Sequence, residues 1–207
     1  MSLADALAEF KASVTQCDNL IANAHQSDPN GTALLPVMDQ RQITVASFLN
    51  LFVAWETFLE SVLTKLMSGE STISGVAPTR YVSPPTIEKA RYLVIGTQRY
   101  FDYGNHEYVR KMVGMYFDQG YPFEPHLGSI NADLSDLRTM RNASAHITST
   151  TKTALEALAQ RVFSTPRPGI DLYSFLTAIH PGSATGNSVF AEYRQKLVIV
   201  AELVANG

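Results

Sequence analysis

Val45-Ala-Ser-Phe-Leu-Asn-Leu-Phe-Val-Ala-Trp-Glu-Thr-Phe-Leu-Glu-Ser-Val-Leu-Thr-Lys-Leu66 is the stretch whose periodicity decides the fold class. Val45, Phe48, Phe52, Trp55, Leu59, Val62 and Leu66 step by three or four residues, so on a 3.6-residue helix they form one broad face that must be buried. The spacing predicts a helix over roughly 40–67. Upstream, Leu3, Leu7, Phe10, Val14, Cys17 and Ile21 repeat the pattern and predict a first helix over roughly 3–26, ended by Asp28-Pro29-Asn30-Gly31. Alternating Val, Ile and Thr strands bounded by two-residue turns are hard to find. The fold class read from the sequence is therefore all-α.

Downstream, Ser68 to Pro85 shifts to Ser, Thr, Gly and Pro and predicts a long loop, because the prolines of Ser83-Pro84-Pro85 lack donors and fix φ. Loops of that length inside compact domains are usually functional or mobile. Short helices are expected near 86–96 and 106–117, then a turn at Gly120-Tyr121-Pro122, then a central helix over roughly 126–145. Thr151 to Phe163 reads as a further helix. Ser164-Thr-Pro-Arg-Pro-Gly169 is the best candidate boundary, and it divides a main helical domain, 1–165, from a C-terminal extension, 166–207. Helices over roughly 170–179 and 188–205 carry apolar faces that must be covered, by the bundle or by a partner.

The chain has 45% apolar and 17% charged residues, the balance of a folding sequence and not of a disordered one. A net charge of −3 argues against a generic nucleic-acid coat, since non-specific binding is carried mainly by cations on phosphates, but it leaves room for a local basic site. The single cysteine, Cys17, cannot form an internal disulfide, which fits a reducing cytoplasm. The N-terminal residues show no basic segment followed by an apolar one, and the late run Leu197 to Val204 is short and broken by Glu202, so neither export nor a membrane span is expected.

Common catalytic templates are missing: no phosphate loop ending in Lys-Ser/Thr, no Gly-x-Ser-x-Gly, no His-Glu-x-x-His. His25, His106, His126, His146 and His180 are scattered, so no metal site and no cofactor are expected. What is left is a polar group, Arg138, Arg141, Asn142, Ser144 and His146, at the end of the predicted central helix. Arg141 continues the inner stripe of Leu134 and Leu137, and a guanidinium there needs a carboxylate, a phosphate or an interface. His146 follows five residues later, about 140° further round the helix. Convergence of the two side chains therefore needs a frayed helix end, a long reach by the arginine, or a second copy of the chain. An arginine capping a helix C-terminus, with a histidine favoured there by the macrodipole, is the ordinary alternative.

The string Arg141-Asn-Ala-Ser-Ala-His146 resembles the R-x4-6-H motif of HEPN domains, an all-α superfamily rich in RNA-cleaving toxins and defence effectors. Leu51-Phe-Val-Ala-Trp-Glu-Thr-Phe-Leu-Glu60, followed by Met67-Ser-Gly69, resembles the second-helix pattern of the RiboL-PSP-HEPN branch, in the matching order. The resemblance implies a HEPN-like helical bundle and metal-independent endonucleolytic cleavage of RNA, in which the ribose 2′-hydroxyl attacks phosphorus. It assigns proton transfer to His146, phosphate binding to Arg141 and orientation to Asn142, with Ser144 and Arg138 in support. It also implies a homodimer whose shared cleft gathers two motifs, and an antitoxin or defence-system protein as a further partner. Glu56 lies on the helix edge with Leu49, Val53, Glu60 and Leu63, where it could hold Arg141 or simply be a solvated acid. Some toxin members follow the histidine with x-Tyr, the target of a partner nucleotidyltransferase; here Ile147 and Thr148 follow. The superfamily also includes non-catalytic members that bind a protein or a nucleotide.

Overall fold

The computed structural model describes residues 2–146 and 148–207; Met1 and Ile147, the first residue after the candidate histidine, lie outside the described residues. Among the described residues the chain is all-α, with no strand and only isolated bridges such as Ser27 to Ala33. The helices are α1 (Leu3–Ala24), α2 (Val37–Met67), α3 (Ile87–Ile95), α4 (His106–Tyr116), α5 (Phe123–Ser129), α6 (Asn131–Ala145), α7 (Ser149–Phe163), α8 (Leu172–Thr177) and α9 (Val189–Asn206). The predicted α2 stripe is buried from Phe48 to Leu66, each residue at 4% exposure or less. Its first member, Val45, is only half-buried.

The chain forms two compact units that do not follow chain order. The first comprises residues 1–11, 54–134 and 196–207; the second comprises 12–53 and 135–195. Residues 135–195 are continuous in the second unit.

The first unit has an aromatic centre. Phe10 lies 5.9 Å from Trp55 and 5.4 Å from Phe58, tilted against both rings, distances at which ring quadrupoles attract beyond simple area burial. Val94, Val109, Val113, Phe123 and Leu127 complete the core. The loop predicted over 68–85 is helix-free and pinned: Ile73 N–H donates to Ala205 O (2.9 Å), Tyr81 N–H to Tyr116 O (2.9 Å) and Asp118 N–H to Thr79 O (3.0 Å). The Arg80 Nη1 donates to Met67 O at 2.7 Å, satisfying a carbonyl left over at the C-terminus of α2. At the turn after α4, Gly120 has φ +69, and a Cβ there would sit 2.9 Å from that of Glu124, so the position admits only glycine without a shift.

In the second unit Phe48, Phe52, Leu137, Met140, Leu155, Leu158, Phe175 and Phe190 are buried. Asp136 on α6 is buried at 6% exposure and accepts from the Tyr193 hydroxyl at 2.7 Å and from the Arg161 guanidinium. One carboxylate thereby ties α6 to α7 and α9.

The C-terminal helices are core elements. Phe190, Tyr193, Leu197, Val200 and Val204, whose face could have been an open interface on sequence grounds, are all at 6% exposure or less. α2 is long and apolar enough to cross a membrane by length and composition, a test that the largely buried core helix of a soluble protein also passes.

Candidate functional site

The site is built on the last turn of α6 and the first turn of α7, within the second unit. α6 begins after a break at Ile130, so the single predicted helix over 126–145 is two helices, α5 and α6. Gly128 and Ser129 explain the break: glycine is a poor helix former, and the Ser129 hydroxyl bonds the His126 carbonyl at 2.7 Å, competing with the helical ladder. α6 runs to Ala145, and the His146 N–H still donates to Asn142 O at 3.0 Å. The His146 amide is thus still in the helical ladder, one residue past the end of α6, and ideal helical spacing puts position 146 about 140° round from Arg141.

Arg141 and Asn142 are half-buried, and the guanidinium donates from Nη1 to Asn142 Oδ1 at 3.4 Å. That amide is its side-chain partner; among the described residues of the second unit no carboxylate pairs with Arg141. Glu56, the acid proposed to hold it, is half-buried on α2 in the first unit. Arg138, half-buried one turn earlier, has no hydrogen-bond or ion-pair partner among the described residues. The imidazole of His146 is exposed and likewise unengaged. Ser144 donates its hydroxyl to Arg141 O at 2.6 Å, so its proton is used inside the helix, and only its acceptor capacity is left for a supporting part.

α7 is anchored by a capping box that was not anticipated. The Thr148 side chain accepts from Thr151 N–H at 3.2 Å, and Thr148 N–H donates back to Thr151 Oγ1 at 3.0 Å. Thr151 Oγ1 also donates to the His146 carbonyl at 2.5 Å, so the backbone on both sides of residue 147 is tied to one threonine. The cap opens helix α7 at Ser149, two residues before the predicted start. Lys152 sits in the next turn, exposed and without an ion-pair partner among the described residues.

Six of the seven Lys and Arg residues of this unit fall into two groups. Arg41, Arg161 and Arg194 are paired with Asp171, Asp136 and Asp18. Arg138, Arg141 and Lys152 have no carboxylate partner among the described residues and lie on the adjoining ends of α6 and α7; the seventh, Arg167, stands 3.8 Å from the centre of the Phe163 ring. A local excess of positive charge thus stands on a chain of net charge −3. Among the described residues no group of three or more His, Cys, Asp or Glu is arranged to hold a metal ion.

Beside the last turn of α6 lies a cavity of about 380 Å³ whose walls include Arg41, Val45, Ser144, Lys152, Leu155 and Tyr173. Arg41 reaches Asp171 at 2.5 Å and stands 5.5 Å from the centre of the Tyr173 ring. Sequence reasoning missed this cavity because its walls come from four separated segments. Asp171 was the one local signal: it caps α8 by accepting from Ser174 N–H at 3.0 Å. The chain matches no family model, no curated protein and no solved structure.

Proposed function

We propose that this protein is a metal-independent endoribonuclease of HEPN type, with Arg141, Asn142 and His146 as its working residues. The observation that carries the reading is the half-buried guanidinium of Arg141, which among the described residues of its unit meets an amide and no acid, followed by an exposed imidazole with no partner among the described residues. A guanidinium taken partly out of water without a counter-charge is costly, and a phosphodiester offers the anion that it lacks. The resemblance of Arg141 to His146, and of the Leu51–Glu60 block, to HEPN patterns supplies the reaction.

In that reaction His146 takes the proton of a ribose 2′-hydroxyl, the 2′-oxygen bonds to phosphorus, and the P–O5′ bond breaks. The departing 5′-oxygen takes up a proton, leaving a 2′,3′-cyclic phosphate and a 5′-hydroxyl. Arg141 binds the non-bridging oxygens as charge builds on them, and Asn142 Oδ1 holds the guanidinium in place. Arg138 adds charge for the strand, Ser144 acts through the backbone of Arg141, and Glu56 is assigned a supporting role from α2.

The His146 amide still bonds within the helical ladder, and helical spacing sets Arg141 and His146 about 140° apart on one chain. The proposal therefore places catalysis in a homodimer cleft containing two copies of the motif, in a cytoplasmic toxin or antiviral effector restrained by a partner protein. The test is cleavage of structured RNA in the presence of a chelator by the wild type, Arg141→Ala and His146→Ala. Cleavage by the wild type, reduced at least about a hundredfold in both variants, supports the reading. Intact RNA with the wild type, or equal cleavage by all three, overturns it.

A further inference from the structure

The cavity beside α6 has a chemistry of its own. Val45, Leu155, Ile170 and Leu172 give it apolar walls, and Ala143 and Ser144 of the candidate motif form one side. Its two acids are already engaged: Asp171 with Arg41 and the Ser174 amide, Glu156 with the Gly169 N–H at 2.7 Å. Arg41 is fixed as a flat surface by Asp171 and by the Tyr173 ring, which is itself stacked on His25 with an interplanar angle of 8°. Lys152, one helical turn past the cap of α7, has no ion-pair partner among the described residues, and Glu156, one turn further along the same wall, meets a backbone amide and no cation among the described residues.

An apolar slot of this size, with a planar cation inside and a free ammonium beside it, suits a flat heterocycle carrying a phosphate. We propose that the cavity holds the base of the RNA nucleotide adjoining the cleaved bond, with the Lys152 ammonium on that nucleotide's phosphate. This rests on the ribonuclease reading, because the wall shared with Ala143 and Ser144 is what places the nucleotide next to the reacting one. The cavity then selects unpaired RNA, since a base in a helix cannot leave its stack to enter it without cost. Lys152 is a binding residue here and Val45 a wall; neither touches the reacting atoms.

The experiment compares wild type, Val45→Trp, which fills the slot from a half-buried position, and Lys152→Ala, which removes only an exposed charge. Each is assayed at steady state on a single-stranded RNA and on the same RNA with an abasic residue beside the cleaved bond. Both variants are expected to raise KM, Val45→Trp by about ten- to a hundredfold, with kcat within about threefold, matching the loss of one base-stacking contact. The abasic substrate should raise the wild-type KM similarly and leave Val45→Trp unaffected.

If the wild type cleaves RNA but neither the variants nor the abasic residue move KM, the subsite is wrong and the ribonuclease reading stands. If the wild type does not cleave, the ribonuclease reading fails and takes with it the placing of a substrate base in the cavity. Titration with adenosine 5′-monophosphate gives a second readout: saturable binding lost in both variants supports a nucleotide cavity, and no saturable binding by the wild type overturns it.

Discussion

The middle of α6 and its last turn treat charge in opposite ways. Asp136 is buried and satisfied from two directions, by the Tyr193 hydroxyl and by the Arg161 guanidinium. One turn and a half later Arg141 is half-buried with only an amide for company, and Arg138 has no partner among the described residues. A charge that meets its counter-charge within the fold contributes to stability, and a charge left without one is available to something outside it. On the proposed reading, Asp136 helps to hold the helix and the cations of the last turn serve a ligand.

That contrast predicts a separation of effects. Arg141→Ala should lower RNA cleavage by about a hundred- to a thousandfold, the cost of removing a donor aimed at developing negative charge, while the thermal midpoint changes little. Arg138→Ala should weaken RNA binding less, and reduce the dependence of log affinity on log salt by about one phosphate contact. A midpoint that falls with either substitution would mean that these cations serve the fold.

Tyr193→Phe should do the reverse. Removing a buried hydrogen bond to a carboxylate is expected to cost about 1.5–3 kcal/mol in denaturant unfolding, with kcat preserved in the molecules that fold. Thr148→Ala removes the α7 cap and should cost about 1 kcal/mol; because Thr151 also holds the His146 carbonyl, a small loss of cleavage accompanies it. Glu56→Gln should have the smallest effect, about fivefold or less on cleavage, since a partly exposed acid in a supporting role contributes little.

The parts of this molecule that were legible beforehand are those set by local spacing. The α2 stripe needs only one helix to be recognised, and Phe48 to Leu66 are buried as their spacing requires. The position of Arg141 on the inner stripe of α6 was likewise readable, and it is half-buried. The break at Ile130 was missed because the apolar period runs through it; what interrupts the helix is the Gly128-Ser129 pair. The Thr148 cap was missed because threonine stands where the usual capping box has an acid or its amide.

Long-range features were not readable in the same way. Nothing local to Asp136 shows that Arg161 and Tyr193 will meet it, and nothing near Ser144 points to Arg41 or Tyr173 as its neighbours across a cavity. Those partners are fixed by the packing, within the second unit, of residues 37–53 of α2, 135–145 of α6, α7, α8 and 189–195 of α9, not by spacing along any one of them. Division of the chain into units that interleave residues from both ends has the same origin, since it follows contacts and not sequence order.

The claim at the centre of this account is that the last turn of α6 serves a reaction begun by a ribose 2′-hydroxyl. The most direct measurement uses two otherwise identical RNA substrates, one carrying a 2′-deoxy sugar at the mapped cleavage position, incubated with the wild-type protein in a chelator. The account predicts that the all-ribose strand is cut to a 2′,3′-cyclic phosphate and that the substituted strand stays whole at that bond. Equal cutting of both, or of neither, would contradict it.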